Sequence, residues 1–123
     1  MGPLNPLFDT NILIDFLCGR EAAREELGRY RRKAVSAVTW MEVMVGSTPE
    51  VEGDTRTFLN GFVVLPLDAP VMEEAVVLRR QHRIKLPDAV IWASARRHGL
   101  TLVTRNSRDF PAGQPGIRVP YAL

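Results

Sequence analysis

A chain of 123 residues leads us to expect one domain, 1–123, large enough for a sheet with helices packed on it and too short for two independent cores. Apolar residues at 46% and charged residues at 24% are ordinary globular proportions, which sets aside a mainly disordered chain. No apolar run approaches the roughly 18 residues of a membrane span, and 16 Lys and Arg against 14 Asp and Glu leave a net charge of +2 that does not by itself establish a nucleic-acid partner.

The opening Met1-Gly2-Pro3-Leu4-Asn5-Pro6 has no basic segment followed by an apolar one, so no secretory leader is expected. The single cysteine, Cys18, forbids an intrachain disulfide. Both observations point to a reducing, cytoplasmic setting. Cys18 lies among Phe16, Leu17 and Gly19 in a predicted helix and reads as a packing residue.

Leu7-Phe8 is a short buried strand that ends at Asp9. Thr10 to Leu17 reads as a helix and Arg20 to Arg32 as a second, charged one. Ala34 to Ser36 is the next strand, and Val38 to Val45 a helix closed by Gly46. A modest helix follows from Pro49 to Leu59. Phe62 to Leu65, β-branched and apolar, is the third strand. Asp68-Ala69-Pro70 opens a helix to about His82, and Pro87 opens another, Asp88 to His98, closed by Gly99. Leu100 to Thr104 is a fourth strand and Ile117 to Val119 an edge strand. Strands alternate with helices and are apolar on both sides. The expected fold is therefore α/β, a doubly wound parallel sheet of about five short strands with helices on both faces. In such sheets sites form at the carboxyl ends of strands.

Four acids sit near those ends. Asp9 follows the first strand, where it also suits a helix N-cap. Glu42 lies on the helix after the second strand, and Thr39-Trp40-Met41-Glu42 matches a capping box. Asp88 follows Pro87 at a helix start, where a carboxylate favours the dipole. Asn106 and Asp109 lie in the loop after the fourth strand and suit turn closure. If those ends converge, several carboxylates meet in one cleft, which is costly without a cation because like charges raise each other's pKa. Oxygen-only ligands, with no Cys/His pair at zinc spacing, point to Mg²⁺ or Mn²⁺. His82 and His98 sit at helix ends beside arginines and read as dipole-facing residues.

The segments Phe8 to Asp15, Thr39 to Val43, Leu86 to Ala93 and Leu102 to Phe110 resemble, in order and spacing, the four motifs of the PIN-domain family. Within that family the chain most resembles VapC-like toxin ribonucleases of toxin–antitoxin pairs. The resemblance implies a Mg²⁺-dependent endoribonuclease that cuts structured RNA such as tRNA or rRNA. By motif position, Asp9 and Asp88 are its principal metal ligands, with Glu42 a ligand directly or through water. Many members carry an acid where this chain has Asn106, and the nearest carboxylate here is Asp109. The fourth site group is split between those two, and a single metal fits better than a pair. The resemblance also implies a VapB-like antitoxin whose tail covers the cleft.

Phosphate has three candidate contacts beside the site: Arg105, Arg108 and Thr104, the last with loop positioning as its alternative. Arg79, Arg80, His82, Arg83 and Lys85 form a basic run, either a solvated helix end or a surface that holds RNA. Trp40 and Trp92 read as core. The stretch Ala89 to Ala95 is apolar nearly all round, so burial on more than one side is expected, by the sheet and by a second subunit in a homodimer. Two rivals are a phosphotransfer receiver domain, which lacks the paired acids and late lysine it needs here, and a PIN-like module that binds RNA or protein without cutting.

Overall fold

The computed structural model describes residues 5–110 and 114–122, so the Met1–Leu4 segment that carries the leader expectation lies outside the described residues. Along the chain come β1 (Pro6–Phe8), α1 (Thr10–Leu17), α2 (Glu21–Gly28), β2 (Ala34–Ser36), α3 (Ala37–Val45), α4 (Glu52–Leu59), β3 (Val63–Leu65), α5 (Ala69–His82), α6 (Leu86–Arg97), β4 (Thr101–Val103) and β5 (Ile117–Arg118). The five strands form one sheet in the order β3-β2-β1-β4-β5. Every pairing is parallel, with Leu7 opposite both Ala34 and Leu102.

Consecutive strand residues point to opposite faces, and the core divides accordingly. Leu7 and Leu102 join Val71, Ala75 and Leu78 of α5 and the buried side of α6. Phe8, Val35 and Val103 join Ile12, Leu13, Val43 and Leu59 from α1, α3 and α4. The predicted doubly wound sheet with helices on both faces is what forms. α6 is buried throughout from Ala89 to Ala95, as expected. Its cover, however, is α5 on one side and the sheet on the other, all within one chain. The second subunit invoked to bury it is not needed there. Solvent-facing apolar groups lie instead on α5, at Met72, Val76 and Val77, and on edge strand β3, at Val63 and Val64. The expected cover of helices on both faces is incomplete at the edge strand β3, whose Val63 and Val64 are exposed.

Local boundaries moved where the chain has to turn. α2 stops at Gly28, short of Arg32: the Tyr30 hydroxyl donates back to Glu26 at 2.7 Å, and the Lys33 ammonium to the Tyr30 carbonyl at 2.9 Å, which swings the chain into β2. α4 begins at Glu52, because Thr48 to Val51 close a turn first. Cys18 caps α1 and is exposed, which corrects its assignment as a packing residue.

Candidate active site

The strand order reverses direction around β1: the chain steps to β2 on one side, and later to β4 on the other. Ligands of open α/β sheets bind at such a switch point, beyond the carboxyl ends of the strands. Asp9 leaves β1 there and Thr104 leaves β4 beside it, with the Asp9 amide donating to the Val103 carbonyl at 2.9 Å.

Asp9 fills the capping role foreseen for it. It is the N-cap of α1 in extended backbone, and one carboxylate oxygen accepts the Thr10 amide at 2.7 Å. Its other oxygen accepts the Thr104 hydroxyl at 2.7 Å and the Asn11 side-chain amide at 3.2 Å. Only 3% of the residue is exposed. Burial, and then the negative charges of Asp88 and Glu42, push its pKa up to about 6 against the bonds from Thr104 and Thr10.

Glu42 is not part of a capping box. Ser36 is the N-cap of α3 and accepts the Val38 amide, so Glu42 stands more than a turn into the helix. Its carboxylate instead accepts the Thr10 hydroxyl at 2.6 Å, and that hydroxyl lies 3.0 Å from the buried Thr39 hydroxyl. Asp88 sits in the first turn of α6, after Leu86 and Pro87, and is half-buried. Burial raises its pKa, followed by the charges of Asp109 and Glu42, while Lys85 lowers it.

Asn106 and Asp109 form one unit. The Asn106 amide nitrogen donates to the Asp109 carboxylate at 2.8 Å, and the Asp109 backbone amide donates to the Asn106 side-chain oxygen at 3.2 Å. The turn closure read from the sequence is thus present. The Asn106 backbone amide donates to the Thr104 hydroxyl at 3.0 Å. A chain of hydrogen bonds therefore runs from Glu42 to the Thr10 hydroxyl, from the Thr10 backbone amide to Asp9, from Asp9 to the Thr104 hydroxyl, and through the Asn106 backbone amide and side chain to Asp109. It joins Glu42, Asp9 and Asp109, while the start of α6 brings Asp88 within reach of their charges at the same end of the sheet.

Of the substrate-side candidates, Thr104 is fully buried with its hydroxyl committed to Asp9. That corrects the expectation of a substrate contact and leaves loop positioning. Arg105 is committed as well. Its guanidinium donates to Asp15 at 2.7 and 3.1 Å, and its backbone amide to the Asn11 side chain at 3.2 Å. Tyr121 adds its hydroxyl to Asp15 at 2.7 Å. Arg108 is exposed and has no ion-pair partner among the described residues. Trp92 is core, edge-on to Phe110 at 5.8 Å. His82 leans on the Trp92 ring at 4.8 Å, a packing role that its dipole-facing assignment did not include. Sequence reasoning missed Thr10, Asn11 and Asp15 as supports of the site. The available signal was the short polar side chains of Thr10 and Asn11 directly after Asp9, and the acid Asp15 further along a helix otherwise apolar.

The donor set suits a hard cation. It consists of oxygens, and the buried Asp9 faces two further carboxylates with no cationic side chain bonded to it among the described residues. Among the described residues no three acids, histidines or cysteines stand close enough to form a ready-made ligand cage. A cation that keeps several of its waters and takes one or two carboxylates directly, as Mg²⁺ does, fits that spacing.

No helix among the described residues is long and apolar enough to cross a membrane. A comparison with curated proteins finds no match. Among solved structures, a chain of a toxin–antitoxin complex from Klebsiella pneumoniae is 45% identical, with 97% of this chain and 100% of that chain covered and a TM-score of 0.92. A chain of DNA-bound VapBC from Salmonella typhimurium is 27% identical over 94% and 96%, with a TM-score of 0.78. FitAcB from Neisseria gonorrhoeae, 24% identical over 96% and 99% with a TM-score of 0.78, shares the fold. The PIN domain profile matches residues 7–112, which takes in Asp9, the hydrogen bonds that support it and the turn that presents Asp109. The chain belongs to the PIN-domain family, and within it to the VapC-like toxins.

Proposed function

We propose that this protein is the toxin of a VapBC-type pair and acts as a metal-dependent endoribonuclease on structured RNA in the cytoplasm, arresting growth. The observation that carries this reading is the buried Asp9 carboxyl, held by neutral donors and set against Asp88 and Glu42. A buried carboxylate with only neutral donors, set beside further acids, is what a divalent cation requires, and the cation in turn attracts a phosphodiester. Asp9 and Asp88 would hold Mg²⁺, or Mn²⁺, with Glu42 completing the set directly or through water. When bound, the cation offsets charge growing on the phosphate oxygens and lowers the pKa of a coordinated water.

The chain's own residues then divide the work. Thr10 fixes the Glu42 carboxylate, and Thr104 fixes that of Asp9. For the unsettled fourth position, Asp109 supplies the charge that reaches Asp88, while Asn106 orients it. Glu42 or Asp109 is the base that takes the proton of the attacking water. Arg108 is the free guanidinium for a substrate phosphate. Arg105, tied to Asp15, serves the loop rather than the substrate.

The partners follow from the likeness to the Klebsiella and Salmonella complexes. A VapB-like antitoxin would cover the acidic end of the sheet with a basic side chain. The exposed apolar side chains of α5 and β3 would serve a homodimer. The rival reading, a PIN-fold module that binds RNA or protein without cutting, rests on Asn106 standing where many relatives carry an acid.

The deciding experiment compares the purified chain with Asp9→Asn on tRNA and rRNA, with Mg²⁺ and with EDTA. Cleavage should need Mg²⁺ and fall on the order of 10³-fold in the variant, and only the unmodified chain should arrest growth on expression. Binding of RNA without cleavage by the unmodified chain would favour the rival.

A further inference from the structure

The segment that joins α5 to α6 breaks two local rules at once. Arg83 caps α5 in the left-handed region, with φ 55° and ψ 33°, and its amide donates to the Arg79 carbonyl. Among the described residues it is the one non-glycine residue with positive φ. Glycine is the residue such a cap favours, because a Cβ crowds the backbone there. Lys85, two residues on, is the N-cap of α6 and makes no side-chain cap bond. Ser, Thr, Asp or Asn is favoured at that position, and a cation opposes the positive end of the helix dipole. Between them Ile84 is buried in the core that α5 shares with α6, so the connection is anchored while Arg83 and Lys85 are held out in solvent.

The favourable dipole at the end of α5 accounts for Arg79 and Arg80 in its last turn. It does not account for Arg83, which lies past the helix, or for Lys85, which faces the wrong end of the next one. None of the four has an ion-pair partner among the described residues. The α5 acid Glu74 is engaged by Arg96 instead, at 3.5 Å. Lys85 is the N-cap of α6 and Asp88 lies in the first turn of the same helix, so the exposed cations begin at the mouth of the acidic site. Residues that defy their local backbone preference without an internal partner are expected where an external one is met.

We infer that Arg79, Arg80, Arg83 and Lys85 form a phosphate-binding ledge that grips the backbone of an RNA strand leading into the acidic site, an assignment that rests on the nuclease reading above. The ledge contacts phosphates rather than bases. It therefore contributes affinity and strand path, not sequence preference.

The test is the double variant Arg83→Gly, Lys85→Ser, beside a charge-matched control, Arg31→Ser, Arg32→Ser. Binding of a fluorescein-labelled single-stranded RNA is titrated in EDTA at several salt concentrations, thermal unfolding is measured, and cleavage is followed separately with Mg²⁺. Because both substitutions restore the locally favoured residue, the double variant should melt about 3 °C higher than the parent. It should bind RNA about tenfold more weakly at low salt, with a log–log salt slope shallower by about 1.4, at about 0.7 for each lost contact. The control should bind within about twofold of the parent. Parent-like affinity and slope in the double variant, while the parent still binds and cuts RNA, would overturn the ledge and leave the nuclease reading intact. A lower melting temperature would overturn it too, by making these side chains structural. A parent that neither binds nor cuts RNA would remove both readings together.

Discussion

Among the described residues three carboxylates are buried, and their surroundings differ in kind. Glu26 on α2 receives Arg118 of β5 through two bonds, at 2.8 and 2.9 Å, and the Tyr30 hydroxyl at 2.7 Å. Asp15 on α1 receives Arg105 and Tyr121 in a nearly matching arrangement. Each is an acid on an early helix met by an arginine from the β4–β5 side of the sheet and by a tyrosine. Asp9 has no such partner. Its donors are neutral, and its charged neighbours are acids. Burial raises the Glu26 pKa, but the bonds from Arg118 and Tyr30 outweigh it and the net direction is downward. Burial of Asp9 has nothing comparable to offset it, and its pKa rises to about 6. A buried acid balanced by its own chain holds the fold together, whereas one left unbalanced marks the place where something else must bind.

That contrast can be broken most severely at Arg118. Arg118→Ala leaves Glu26 buried without its cation and should cost about 3 kcal/mol, read by urea denaturation at neutral pH. A loss well under about 1 kcal/mol would reduce the pair to a surface bridge. Asp9→Asn should act with the opposite sign and raise stability by about 2 kcal/mol at neutral pH in EDTA, since it removes a charge the fold disfavours. The pH dependence sharpens the difference. Asp9 ionises at 3.8 in the unfolded chain and at about 6 when folded. Between those values the folded state keeps a proton the unfolded chain has lost, so stability from this group falls as pH rises, and Asp9→Asn should flatten that slope. Glu26, lowered from 4.5, works the other way: its contribution is present above its ordinary value and is lost as pH falls. A slope between pH 4 and 6 that survives Asp9→Asn would assign it elsewhere.

Smaller effects follow around the site. Thr104→Val removes the hydroxyl that holds the Asp9 pKa down. It should cost about 1 kcal/mol of stability and move the acidic limb of the cleavage profile to higher pH. An unmoved limb would sever Thr104 from Asp9 in function. Arg108→Glu should change stability by less than about 0.5 kcal/mol and still weaken RNA binding at low salt. Unchanged affinity would remove Arg108 from substrate contact.

Much of this architecture was legible without coordinates. Asp9 after a short apolar strand, Asp68 ahead of Pro70, and Ala89 to Ala95 as a buried helix are local patterns, and they formed where expected. The capping box at Glu42 failed for a local reason: Ser36 lies nearer the start of α3 and takes the cap. The partners of Asp15 and Glu26 were not legible in the sequence, for a distant reason. Arg105 and Arg118 stand 90 and 92 residues away along the chain.

By itself the sequence determined the elements, the parallel class of the sheet and the acids to watch, because caps, turns and apolar periodicity act over a few residues. Only the tertiary structure decided which acids are balanced. The order β3-β2-β1-β4-β5 puts β4 beside β1, so Thr104 and Arg105 arrive next to α1, one to hold the Asp9 carboxylate and the other to neutralise Asp15. Charge pairing across a sheet follows strand order, and strand order is set by the packing of the whole chain rather than by any segment of it.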